Sequence, residues 1–214
     1  MLKWSIIFEN LPFLLAGAWT TLSLTVVSMI FATVAGLLVG LLNMFGGRVV
    51  GAVTRFYIEV VRGTPALLLV LLVYYALPIV GVNLPQFPAA AVSLAVCYAA
   101  YIAEVFRAAV ESIPKGQSEA AFSLGMSQAQ ALRHVILPQT FRRVLPPLAN
   151  EFAALIKDTS LVAFISMEDL LFKAKIIGAR TYNIMSPLIG AALIYLIMTT
   201  PVMQWSRNLE KKVE

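Results

Sequence analysis

Glu151, Lys157 and Asp158 stand in "NEFAALIKDTSLVAFIS", an otherwise apolar run. On insertion scales an Asp or Lys at the centre of a membrane helix costs about 2.5–3.5 kcal/mol. Charges kept at that cost face a cavity or pair with something. Glu151 and Asp158 are seven residues apart, so on a helix they share nearly one face, about 10 Å apart along the axis. Lys157 points about 100° away from Asp158, so those two need not pair. Two carboxylates on one face make a cation site, suited to arginine, lysine or histidine rather than glutamate. The competing reading is structural: Lys157–Asp158 is a packing and capping feature, with Asp158, Thr159 or Ser160 capping a helix break.

A second stretch is polar where its surroundings are not: "ESIPKGQSEAAFSLGMSQAQALRHVILPQTFRRVLPP". Pro114 can begin a helix that runs through Glu119, Ala120, Ala121 and Phe122. Gly125 permits a sharp turn or left-handed cap. Ser127 with Gln130 forms an S-x-x-Q capping box that starts a second helix, and Pro138 blocks its continuation. The segment therefore reads as helix, Gly turn, helix, Pro stop, with Phe122 and Leu124 offered to a partner groove. The first helix has too few bases for a lipid-hugging amphipathic helix.

The elements that must position these residues are apolar. The chain has 214 residues, 60% hydrophobic and 13% charged, with mean hydropathy +0.85. Soluble domains run near 45–50% apolar and about 25% charged. The expected fold is all-α and integral to a membrane: one transmembrane domain over 1–214, a five-helix bundle with spans about 12–42, 65–80, 89–110, 147–165 and 184–205. Thr64 and Pro65 read as an N-cap and N1 pair after a break at Gly63. The intervening cytoplasmic loop is 111–143.

The net charge of +5 comes from bases spread through loops, which argues against nucleic-acid binding. Arg48, Arg55 and Arg62, then Arg107, Lys115, Arg133, Arg142 and Arg143, then Arg207, Lys211 and Lys212 fall on one side. Lys3, Lys173, Lys175 and Arg180 fall on the other. That bias sets the N-terminus outside and the C-terminus in the cytoplasm. The N-terminus lacks a removable-signal pattern and is expected to be retained. Cys97 has no partner for an internal disulfide.

Thr21, Thr25, Ser28, Ala32, Gly36 and Gly40 form a stripe of small residues at helical spacing. It packs either within the bundle or against a second subunit. Arg55, Glu59 and Arg62, and likewise Glu104, Arg107 and Glu111, have the spacing of surface ion-pair ladders. There is no phosphate-binding G-x-x-x-x-G-K-[ST] loop, no metal-ligand cluster and no Ser-His-Asp set. His134, beside Arg133, reads as a surface residue. The chain is therefore expected not to be an enzyme, with no catalytic, cofactor-binding or metal-binding residues.

"EAAFSLG", nine residues and "VILP" together resemble the EAA loop of permease subunits in ATP-binding cassette importers, E-A-A-x3-G-x9-I-x-L-P, with Val135 in place of Ile. "EVVRGTP", "AYIAEVFRAAVESIPKGQSEAA" and "LIKDTSLVAFIS" narrow the resemblance to the polar amino-acid, histidine/glutamine-type branch with a type I importer fold. The resemblance implies that Glu119, Ala120, Ala121, Phe122, Gly125, Leu137 and Pro138 couple the chain to an ATPase. It implies two ATP-binding cassette ATPase subunits that carry ATP and Mg, a second permease subunit (identical or a close sibling) and an extracytoplasmic solute-binding protein. The bacterial inner membrane is the implied location and an amino acid the substrate; Glu151 and Asp158 are set on its path by their spacing alone, and the spread of "KDTS" over family members with different substrates argues against Asp158 as a specificity residue. The alternative is a secondary amino-acid carrier driven by an ion gradient; that class commonly shows internal repeats, which are not evident here.

Overall fold

The structure, a computed structural model, describes residues 2–213, with side chains through Lys211. The Lys212 side chain, one of the tail bases, thus lies outside the described residues. In chain order come α1 (Trp4–Glu9), α2 (Leu11–Phe45), α3 (Gly47–Gly63), α4 (Ala66–Ile79), α5 (Gln86–Glu111), α6 (Lys115–Ser123) and α7 (Gln128–Ala131). A π-helical turn (Leu132–Ile136) leads into α8 (Leu137–Asp158), followed by a 3-10 segment (Thr159–Ile165), α9 (Leu170–Thr181) and α10 (Met185–Val213). No strand occurs among the described residues.

Among the described residues, three helices are long and apolar enough to cross a membrane: Leu11–Phe45, Gln86–Glu111 and Met185–Lys211. A fourth crossing arises if α3 and α4 count as one span, bent by 114°. The bend has a local cause. Gly63 ends α3 and Pro65 forbids a helical continuation from Thr64, which is extended at φ −107°, ψ 139°. Thr64 does not cap α4 as its sequence position suggests. Pro65 occupies the cap position, and the Thr64 hydroxyl donates back to the Val60 carbonyl at 2.7 Å.

α8 is a different kind of helix. It carries Arg142, Arg143, Glu151, Lys157 and Asp158, and the apolar segment 147–165 falls partly on it and partly on the 3-10 segment. Pro138 does not stop the preceding helix. The chain passes through the π-helical turn straight into α8, with Pro138 in its first turn, where a missing N–H costs least.

The centre of the bundle is the α2–α5 pair. In lipid there is little hydrophobic drive between helices, so close van der Waals contact must hold them. The small-residue stripe supplies it inside this chain. Thr21, Thr25, Ser28, Ala32, Gly36 and Gly40 are all buried. A Cβ on Gly36 would lie 2.7 Å from Ile102 Cβ, and one on Gly40 would lie 3.1 Å from a Phe106 ring carbon. α5 answers with alanines, among them the buried Ala95, Ala99, Ala100 and Ala103. At one end, Leu14, Ala18, Leu170, Ala174, Ile177 and Ala191 join α2, α9 and α10 in one cluster. At the other, Phe106, Ala109 and Val144 pack with Leu41, Met44 and Leu137.

Candidate functional site: a capped joint and a polar cluster

The joint between α6 and α7 is built from two caps placed back to back. Gly125 has φ +79°, the left-handed region that a Cβ makes costly. Its N–H donates to the Phe122 carbonyl at 2.9 Å, and the Met126 N–H donates to the Ala121 carbonyl at 3.1 Å, the paired bonds of a Schellman motif. The capping box follows at once. Ser127 N–H donates to Gln130 Oε1 at 2.9 Å, and Gln130 N–H donates to Ser127 Oγ at 3.4 Å.

Side bonds tie this joint to the bundle. Gln139 Nε2 donates to Gln117 Oε1 at 3.1 Å, linking α8 to α6. Arg143 donates to the Ser112 carbonyl at 2.7 Å and to its hydroxyl at 3.1 Å, linking α8 to the end of α5. Ala121 is buried; Glu119, Ala120, Phe122, Gly125 and Pro138 are exposed; Leu137 is half-buried. Leu124 is 79% exposed. An open cleft of about 1210 Å³ lies between the joint and the α2–α3 corner, lined by Phe45, Ile113, Phe122 and Leu132 among others. His134 is exposed, with Nδ1 3.0 Å from the Gln130 carbonyl.

The second region lies where α3, α5 and α8 meet. Asp158, half-buried at the end of α8, accepts a hydrogen bond from the Tyr98 hydroxyl at 2.8 Å. It makes no side-chain cap bond to the 3-10 segment, so the capping alternative does not hold for this residue. Lys157 is exposed, as the 100° rotation requires. Glu151 is half-buried and within electrostatic reach of Arg62 and Asp158.

Arg62 sits at the foot of the α3–α4 bend. It lies 3.6 Å from Glu104, and its guanidinium is 5.8 Å from the Tyr101 ring centre. Arg107 bridges Glu104 and Glu111. The second ladder of ion pairs therefore forms on α5. The first does not: Arg62 turns across to Glu104, and among the described residues neither Arg55 nor Glu59 makes an ion pair.

Sequence reasoning missed Tyr98, Tyr101 and the reach of Arg62, although the Tyr98–Tyr101 spacing puts both rings on one helical face toward the acids. It also missed Asp169, which is fully buried. Asp169 accepts from Leu171 N–H at 3.2 Å, Phe172 N–H at 2.8 Å and the Tyr195 hydroxyl at 3.1 Å. Asp before an apolar run is an N-cap signal that could have found it. Burial pushes its carboxyl up to about 6, against the hydrogen bonds that favour the anion.

Residues 32–214 match the family described as "Binding-protein-dependent transport system inner membrane component". A probable amino-acid ABC transporter permease, YckA of Bacillus subtilis, is 39% identical over 99% of this chain and 96% of its own length. The arginine transport system permease ArtQ of Bacillus subtilis is 36% identical, covering 100% and 98%. The glutamine transport system permease GlnP of Escherichia coli is 38% identical, covering 99% and 97%. The crystal structure of an amino acid ABC transporter with histidines superposes with a TM-score of 0.93 at 36% identity, covering 99% of both chains. Inward-facing structures of a methionine ABC transporter share the fold at 23% identity and a TM-score of 0.81. The polar joint, the few apolar spans and the full-length likeness converge: this chain is a membrane-embedded transport component and not an enzyme, and it belongs to the family of binding-protein-dependent transport system inner membrane components.

Proposed function

We propose that the chain is the permease subunit of an ATP-driven importer of polar, basic L-amino acids. It works as a pair with a second permease subunit, two cytoplasmic ATPase subunits holding ATP and Mg, and an extracytoplasmic solute-binding protein. The whole chain forms one transmembrane domain of five spans, the bent α3–α4 pair supplying the second and α8 with the 3-10 segment the fourth. The N-terminus lies outside and the C-terminus in the cytoplasm of a bacterial inner membrane.

Glu119, Ala120, Ala121, Phe122, Gly125, Leu137 and Pro138 form the coupling element. ATP binding closes the ATPases and draws the two joints together, and the rigid link from α6 through the π-helical turn to α8 carries that motion to the residues of the path. Glu151 and Asp158 receive the cationic end of the substrate. The observation that carries this reading is the placement of both acids on α8, the helix continuous with the joint. The relative named for arginine transport supports the choice of a basic substrate. An ion-gradient carrier gives no reason for a doubly capped cytoplasmic joint.

The test is substrate binding and uptake by the complex in proteoliposomes with Glu151→Gln. Affinity for arginine, lysine and histidine falls at least tenfold while assembly with the ATPase is kept. Unchanged affinity for all three would remove Glu151 from the path.

A further inference from the structure

The turn between α9 and α10 carries a feature that the transport path does not use. Tyr182 is 99% exposed and sits at φ 50°, ψ 28°, the left-handed region. Gly or Asn closes such a turn with less strain, yet the chain keeps a bulky aromatic there. Backbone strain of this kind gathers at functional sites.

The turn is held firmly. Both the Tyr182 and Asn183 N–H groups donate to the Gly178 carbonyl, the latter at 3.2 Å. The Ser186 N–H donates to Asn183 Oδ1 at 3.1 Å, and Ser186 Oγ accepts from the Lys3 N–H at 2.8 Å. Gly178 lets Ile184 close over it, since a Cβ there would stand 3.0 Å from the Ile184 Cα. The ring is therefore displayed from a rigid mount.

Two exposed bases precede it on α9. Arg180 and Lys175 are exposed and, among the described residues, make no ion pair. Each lies over a ring instead: Arg180 is 5.9 Å from the Phe13 centroid and Lys175 is 5.7 Å from that of Phe164. Ile184 and Met185 add 50% and 58% exposed apolar side chains beside Tyr182. An exposed Tyr and Arg on a rigid support, with apolar neighbours, is the composition of an interface hot spot.

Its position selects the partner. α2 has 35 residues, about 52 Å of helix. Gly17 near its start meets α9 at Leu170, while Phe45 at its end lines the cleft beside the coupling joint. The Tyr182 turn and the joint thus lie at opposite ends of the molecule. If ATPases take the joint, the turn faces the other compartment, where a chain of a binding-protein-dependent system meets its binding protein.

We propose that the Arg180–Tyr182 turn is a docking knob for an acidic surface of the extracytoplasmic solute-binding protein. Tyr182 seats between side chains of that protein, and Arg180 and Lys175 pair with its carboxylates. The inference rests on the importer reading above.

The experiment measures ATPase stimulation of the assembled transporter in nanodiscs by increasing amounts of the purified, amino-acid-loaded binding protein of the same system. Tyr182→Gly keeps the left-handed turn, removes the ring and relieves the strain, so loss of function through misfolding is avoided. The half-maximal concentration of binding protein rises at least tenfold in Tyr182→Gly and in Arg180→Glu, while basal ATPase activity holds. Added salt raises it in the unsubstituted complex and less in Arg180→Glu. If both variants keep the original half-maximal concentration, or change only the maximal rate, the knob is overturned. If the unsubstituted complex ignores the binding protein altogether, the importer reading itself fails.

Discussion

The Tyr98 hydroxyl donates to Asp158 Oδ2 at 2.8 Å, a bond that fastens the middle of α5 to the last turn of α8. It spans the place where α8 gives way to the 3-10 segment. Movement of α8 at this point must either carry α5 along or break a charge-assisted bond.

That bond has a measurable strength. Hydrogen bonds to charged groups contribute about 1.5–3 kcal/mol. Tyr98→Phe and Asp158→Ala each lower thermal stability of the detergent-solubilised complex at a fixed scan rate. The double variant loses less than the sum, because both remove one interaction. Strictly additive losses would show that the two side chains do not depend on each other.

Asp169 predicts a pH dependence whose sign is fixed. Its carboxyl is pushed up from 3.8 to about 6 in the folded protein, so the folded state holds the proton more tightly than the unfolded chain. The associated stability is fully present below about pH 4 and is lost as pH rises through about 6. Melting temperature of the solubilised protein therefore falls between pH 4 and pH 7 in excess of that of Asp169→Asn, which keeps an acceptor for the α9 N–H groups. Parallel curves for the two proteins over that window would contradict the assignment.

Close packing at Gly36 leaves no room for a side chain. Gly36→Leu must push α2 from α5, and overpacking of a filled interior costs about 1–3 kcal/mol. The expected result is a lower melting temperature and reduced yield of folded protein. A methyl group added at Gly63 would meet nothing within 4 Å, so Gly63→Ala is a matched control that the fold tolerates.

How far the sequence could be read follows from the range of each signal. The joint was legible because Gly125 and the Ser127–Gln130 box act within four residues, and local backbone chemistry decides them. The small-residue stripe was legible as a stripe, since helical spacing suffices, but its partner α5 lies some sixty residues on and nothing local names it. Tyr98 and Asp158 are likewise sixty residues apart, so their bond exists only once α5 and α8 pack. Pro138 misled for a physical reason. Proline marks a helix stop unless the preceding turn widens, and the π-helical turn at Leu132–Ile136 has no sequence signature. Arg62 gave a correct spacing and a different partner: it lies 3.6 Å from Glu104 of α5, which no spacing within α3 could name.

The central claim is that the capped joint is a stiff lever, and Gly125 tests it most directly. A Cβ at this position would meet no atom within 4 Å, so substitution acts through the backbone alone. A β-branched residue at φ +79° costs about 1–2 kcal/mol in the left-handed region, and the Schellman turn gives way. The measurement is amino-acid uptake per ATP hydrolysed by the reconstituted complex carrying Gly125→Val, with Gly125→Asn as the variant that tolerates the left-handed conformation. The account predicts at least a tenfold loss of coupled uptake for Val, near-normal uptake for Asn, and retained ATP hydrolysis in both. Full uptake per ATP in an assembled Gly125→Val complex would contradict it.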